Sequence, residues 1–270
     1  MTTELELYTI TLPSKGRYYG DKLPGGKLQI TPWTVAQEDT IDRMGMDDDS
    51  LGSLRQMVEN NVRWASGFTY EDLLVTDHYF ILLQLRCLSL TPFMTFPHMC
   101  PKCKTDSAVQ IDISGAEVRV PDDTDTDTEP FSCFLPRKKV EIGVRFLRIG
   151  DEFSAEKYSK ETVVKSPATE RKFIYARQIV SVGGQSLPIG EKMAFVASLS
   201  MLDLEVLKNK LLKKQTGVTG VFKATCENCK TEDKTWMPSL HVRFFRPLSI
   251  DIERAAGVAE KSSTSDKLSG

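Results

Sequence analysis

The sequence predicts an α+β fold in which a four-cysteine, zinc-ribbon-like site joins a helical N-terminal half to a mixed strand and helix C-terminal half. Three observations lead there. Apolar residues recur at helical spacing through 34–90, alternation typical of strands dominates 108–147, and one short unit, C-x-x-C-K-T-acid, occurs at 100–106 and again at 226–232. These signals divide the chain into an N-terminal arm with short strands (1–33), a helical region (34–99), a mixed region (100–253) and a disordered tail (254–270).

Residues 5–12 alternate weakly and read as a short strand or arm, ending at the turn Leu12-Pro13-Ser14-Lys15-Gly16. A second short strand fits 27–32. Thr34 is placed to cap a helix over 34–46, and Leu51, Leu54, Met57, Val58 and Val62 share one face of another over 51–62. Segment 71–90 is so rich in Leu, Ile and Phe that it must be buried on most sides. Asp77, His78 and Arg86 interrupt it; a buried polar network at Asp77 and Arg86 is one reading, and a solvated edge is the more common one.

Strands follow at 108–113 and 118–120, the second continuing the sheet of the first. The run 121–130, acidic and bounded by Pro121 and Pro130, has nothing to bury and reads as an exposed loop. It lacks the glycine and final glutamate of a calcium-binding EF-hand loop. Segments 131–135 and 140–147 alternate as strands, and the middle of 151–170 reads as helix. Segment 173–182 fits strand or helix, and the Gly183-Gly184 turn favours a strand or hairpin. Helices are expected over 191–199 and over 202–213, where Ser200 and Asp203 begin a capping box.

Composition limits function. A net charge of -2 with 27% charged residues argues against general affinity for polyanions. No apolar run is long enough to suggest a membrane span. The start of the chain has no basic segment leading into a long apolar run, so no signal peptide is expected and synthesis in the cytoplasm is. Cysteines in that compartment point to metal or burial rather than to disulfides.

Two residues between cysteines let one tight turn aim both sulfurs at one ion. Two such turns, Cys100/Cys103 and Cys226/Cys229, complete an all-thiolate tetrahedron, the structural zinc arrangement. The halves lie about 120 residues apart, far beyond the ~15–20 of ordinary zinc ribbons, so the fold itself must unite them. Paired redox motifs are the rival reading, but neither C-x-x-C opens a convincing helix. His98 is near enough to compete as a ligand, His241 reads as structural or exposed, and Cys87 and Cys133 read as small core residues. Val242, Phe244 and Phe245 also read as core. Four thiolates leave no open position for a catalytic water, and no nucleotide-binding or nucleophile motif occurs, so no enzyme is expected.

The Leu12-Pro13-Ser14-Lys15-Gly16 turn, the apolar helix running from Asp77-His78-Tyr79 to Leu85-Arg86, Cys100-Pro101-Lys102-Cys103, and Gly217-Val218 leading to Cys226-Glu227-Asn228-Cys229 occur in an order that resembles the T-even phage baseplate hub family. The resemblance implies a contractile-tail component of the baseplate or its assembly, without catalytic residues. Its partners would be other phage tail or baseplate proteins, in the host cytoplasm during assembly and then in the virion tail. The alternatives are a zinc-ribbon module that binds nucleic acid or regulates transcription, and a redox or hydrolytic enzyme. Acidic Asp106, Glu227, Glu232 and Asp233 around the cysteines count against the first.

Overall fold

In the computed structural model, residues 6–46, 50–124, 126–161, 166–236, 242–246 and 251–252 are described. The tail at 254–270 and His241 lie outside them.

Strand β1 (Tyr8–Thr11) pairs antiparallel with β2 (Lys27–Ile30), and β2 with β3 (Val62–Arg63). Alternation turns Ile10, Leu28 and Ile30 inward. The expected arm is therefore, over 8–11, an edge strand of the protein's own sheet. The loop joining β1 to β2 crosses itself closely. At Gly16 (φ +76°) a Cβ atom would lie 2.1 Å from the Leu23 carbonyl oxygen, so only glycine fits. Thr34 and Gln37 form a capping box over a short 3-10 turn that leads into α1 (Glu38–Met46), and α2 (Ser50–Asn61) follows.

Helix α3 (Val75–Ser89) is the expected apolar helix, begun four residues late. Thr69 and Asp72 cap a separate 3-10 turn at Tyr70–Asp72, and Leu73 and Leu74 are extended (ψ 136° and 140°) before the helix starts. Ile81, Leu82, Leu83 and Leu85 are fully buried. So are Asp77 and Arg86, which corrects the solvated-edge expectation. They do not pair with each other. Asp77 accepts from the Ser14 amide (3.1 Å) and the Tyr19 hydroxyl (2.6 Å), and that hydroxyl accepts from the Leu74 amide (3.0 Å). Arg86 donates to the carbonyls of Phe93 (2.9 Å) and Phe244, with its guanidinium over the Phe244 ring. Each buried charge thus ties a different chain segment to the helix, and these bonds supply most of the partners that burial demands, although Arg86 Nε is left without one among the described residues.

From α3 the chain enters the hairpin β4 (Phe93–Met99) and β5 (Asp106–Asp112). Strand β6 (Val118–Arg119) does not continue that sheet as expected; its partner is β10, near the second cysteine pair. The described residues of the 121–130 run, 121–124 and 126–130, form a loop pinned where its acids find cations: Asp123 meets Lys15, Asp127 meets Lys214, and the nearly buried Glu129 meets Arg148. Strands β7 (Phe131–Leu135), β8 (Val140–Val144) and β9 (Ile179–Val182) form a second antiparallel sheet in that order. Between β8 and β9 run α4 (Ile149–Glu161) and α5 (Pro167–Gln178), so 173–182 is half helix and half strand. Helices α6 (Ile189–Ala197) and α7 (Met201–Lys214) follow, the latter capped by Ser200 as expected. Then come β10 (Gly217–Val218), the hairpin β11 (Val221–Thr225) and β12 (Glu232–Trp236), and α8 (Val242–Phe245), whose Phe244 and Phe245 are core.

The fold is α+β, but the two halves do not divide by element type. Among the described residues, strands β1 to β4 lie in the first part and the five helices α4 to α8 in the second. The strand character of 93–99, within the region read as helical, comes from pairing with β5.

His78 gives the core a pH dependence. It lies buried with its Nε2 3.1 Å from the Tyr70 hydroxyl, and burial pushes its pKa down to about 4, from 6.5. Between those values the unfolded chain binds more protons than the folded one. Stability should therefore fall as pH drops from about 6.5 towards about 4, by up to about 3 kcal/mol. Urea midpoints at pH 7 and pH 4.5 should differ less in His78→Gln than in the native chain.

Candidate metal centre

Each C-x-x-C is the turn of a two-stranded hairpin, and the two turns are built alike. In the first, the Cys100 amide donates to the Thr105 carbonyl (3.1 Å) and the Lys104 amide to the Cys100 carbonyl (2.9 Å). In the second, Cys226 donates to Thr231 (3.0 Å) and Lys230 to Cys226 (2.9 Å). Lys104 and Lys230 both adopt left-handed backbone, at φ 57° and 55°. The repeated lysine therefore marks a tight turn that closes after the second cysteine, a position glycine would ordinarily take.

The fold brings the two turns together. Cys100 Sγ lies 3.7 Å from Cys229 Sγ, and Cys103 Sγ lies 3.6 Å from Cys226 Sγ. All four sulfurs fall within 4.8 Å of one another. The first cysteine of each pair is buried and the second half-buried. Other contacts join the hairpins around them. β11 packs on β5, the Asn228 amide donates to Thr105 Oγ1 (3.1 Å), and His98 Nε2 faces Asp233 Oδ2 at 3.4 Å. His98 is thus engaged with a carboxylate and stands outside the sulfur cluster. Cys87 packs half-buried against the core and Cys133 is buried in β7, both as expected. Strands rather than helices follow both pairs, so the setting of a helix-borne redox motif is missing here.

The donor set fits a divalent ion. A tetrahedron of sulfurs at ~2.3 Å from a zinc ion has edges of about 3.8 Å, close to the two cross-hairpin separations. The thiols are already polarised. The hydroxyl of Thr105, with its backbone amide, draws Cys103 down to about 5, and Thr231 lowers Cys229 in the same way. Cys100 is pushed up to about 11: the Cys103 amide opposes this, but burial and the sulfurs of Cys103 and Cys229 outweigh it. Neighbouring sulfurs thus compete for negative charge, a conflict that a bound cation relieves. Thr105, Thr231 and Asn228 were not singled out in the sequence as part of the site. The threonines were legible in principle, since both repeats carry one after the lysine.

A family model described as T4 bacteriophage base plate protein matches residues 7–246, a span that contains both hairpins. The chain belongs to that family. No curated protein and no solved structure matches it. Membership makes this a structural phage tail component, in keeping with the resemblance carried by its turn, helix and cysteine motifs. Among the described residues of the base plate protein, no helix is long and apolar enough to cross a membrane.

The left-handed turn can be tested directly. Lys104→Gly should change stability by no more than about 0.5 kcal/mol, since glycine relieves the backbone but adds freedom to the unfolded chain. Lys104→Val should cost about 1–2 kcal/mol, because a branched side chain tolerates this backbone poorly. Denaturant titration of both variants checks the contrast.

Proposed function

We propose that this base plate protein is a non-enzymatic structural or assembly component of a contractile phage tail baseplate or hub. It acts by binding other tail proteins, and its fold is stabilised by one zinc ion on Cys100, Cys103, Cys226 and Cys229. The family match over 7–246 carries the tail assignment, and the sulfur cluster supports the metal. Four thiolates fill the coordination preferred by zinc, so the ion serves architecture rather than activating water. It joins two hairpins that are too small to be stable alone. The protein is made in the host cytoplasm and takes its place in the virion tail. A nucleic-acid role is disfavoured because carboxylates Asp106, Glu227, Glu232 and Asp233 interleave with the lysines of the two hairpins.

Elemental analysis should give one zinc per chain, and Cys100→Ser and Cys226→Ser should each lose it. Chelation should remove several kcal/mol of linked folding energy, roughly a 10 °C fall in Tm. Phage carrying Cys226→Ser should give few complete tails. Zinc retained in full by either variant would contradict the shared centre, and normal tails from unfolded variant protein would contradict the structural role.

A further inference from the structure

The four cysteines also suggest how the centre responds to oxidation. We infer that they form a modification site at which a hydroperoxide-class oxidant replaces the metal centre with two crosswise disulfides, Cys103–Cys226 and Cys100–Cys229. The inference concerns the regulation of the proposed metal centre, but it depends on how the sulfurs are arranged and not on which ion they hold.

In a free chain, the pairs favoured by loop closure are those three positions apart, Cys100 with Cys103 and Cys226 with Cys229, because short loops close at least entropic cost. The fold offers a second choice. Sulfurs distant in sequence meet across the hairpins, at 3.6 and 3.7 Å, between residues 123 and 129 positions apart. Forming a bond of about 2.05 Å from there needs a closure of roughly 1.6 Å, within reach of side-chain rotation. Exposure is divided within each crosswise pair, as it is within each C-x-x-C. Cys103 and Cys229 are half-buried and open to a small oxidant, while their crosswise partners Cys226 and Cys100 are buried. Each crosswise pair therefore holds one sulfur that an oxidant reaches and one shielded from solvent that resolves the product.

The chemistry balances pair by pair. The Cys103 thiolate attacks one peroxide oxygen, the O–O bond breaks, and with one proton a water leaves, giving a sulfenic acid. The Cys226 sulfur attacks that sulfenic sulfur, the S–S bond forms, and hydroxide departs to take up the thiol proton as a second water. Two thiols are oxidised and one peroxide is reduced. Cys229 and Cys100 follow the same course, and a metal ion held by the thiolates is released as they are consumed. The hairpins stay joined throughout, first through an ion and then through covalent bonds that span long loops. A protein assembled in a reducing cytoplasm and later exposed outside the cell would keep its hairpin contact in both settings.

The test oxidises the full chain, as purified, with hydrogen peroxide in slight excess, then blocks the remaining thiols. Digestion after lysine, arginine and glutamate places all four cysteines on different peptides, because Lys102 divides the first pair and Glu227 the second. Fragment sequencing then locates each bond, including on the peptide shared by Cys100 and Cys87. The expected result is that the crosswise peptides dominate, all four cluster thiols are lost, and Tm no longer falls on adding chelator. The same oxidation in denaturant should yield chiefly bonds within each C-x-x-C. Bonds within the pairs in native protein, irreversibly oxidised cysteines instead of disulfides, or the same crosswise pattern in denaturant would each overturn the inference. Metal content is measured separately on the untreated protein. A metal-free preparation that still pairs crosswise would refute the zinc centre and leave this inference standing.

Discussion

One helix, α3, buried on nearly every side, ties the β1–β2 loop, both cysteine hairpins and the Phe244 segment together. Ordinary amphipathic helices have one face to bury; α3 has apolar residues all round and two charged residues that burial forces to find partners. Asp77 at its start holds the β1–β2 loop through Ser14 and Tyr19, and Arg86 near its end holds the first residue of β4 and the carbonyl of Phe244. Removing one partner of such a contact leaves the other buried and unsatisfied, so these ties hold the N-terminal and C-terminal segments to the same axis.

The same helix explains how cysteine pairs about 120 residues apart come to share one site. Its C-terminal end feeds the first hairpin directly, with Arg86 gripping Phe93. Its first turn receives the second, because β10 passes so close that a Cβ atom on Gly217 would lie 2.7 Å from Thr76 Cβ. β10 then leads straight into β11. Both hairpins are thus anchored on one helix before their sulfurs meet. The Asn228–Thr105 bond, the His98–Asp233 contact and the packing of β11 on β5 add to that placement. A component of a large assembly gains from such an arrangement, since rigid elements dock with little conformational entropy left to lose.

Parts of this were legible in the sequence because they depend on local chemistry. The C-x-x-C-K-T-acid repeat named the four sulfurs that cluster, the Ser200 cap began α7, and alternation gave β7 and β8. What escaped reading depended on distant partners. Phe93–Met99 is a strand because β5 lies beside it, and Val118–Arg119 pairs with residues almost a hundred positions later. The burial of Asp77 could not be read from helical spacing, since its partners Ser14 and Tyr19 lie some sixty residues away. Segment 173–182 was ambiguous because its periodicity changes midway, at Gln178, where α5 gives way to β9.

The central claim is that the docking of β10 on α3 assembles the cysteine site, and the metal affinity of Gly217→Val tests it most directly. Gly217 has φ +123° and sits against Thr76, away from the four sulfurs, so valine there displaces β10 without touching a ligand. Competition with a chromophoric chelator should show zinc held at least about tenfold more weakly than in the native chain, a cost of ~1.4 kcal/mol or more, while far-UV circular dichroism reports retained helices. Native zinc affinity in a variant with β10 displaced would contradict the account.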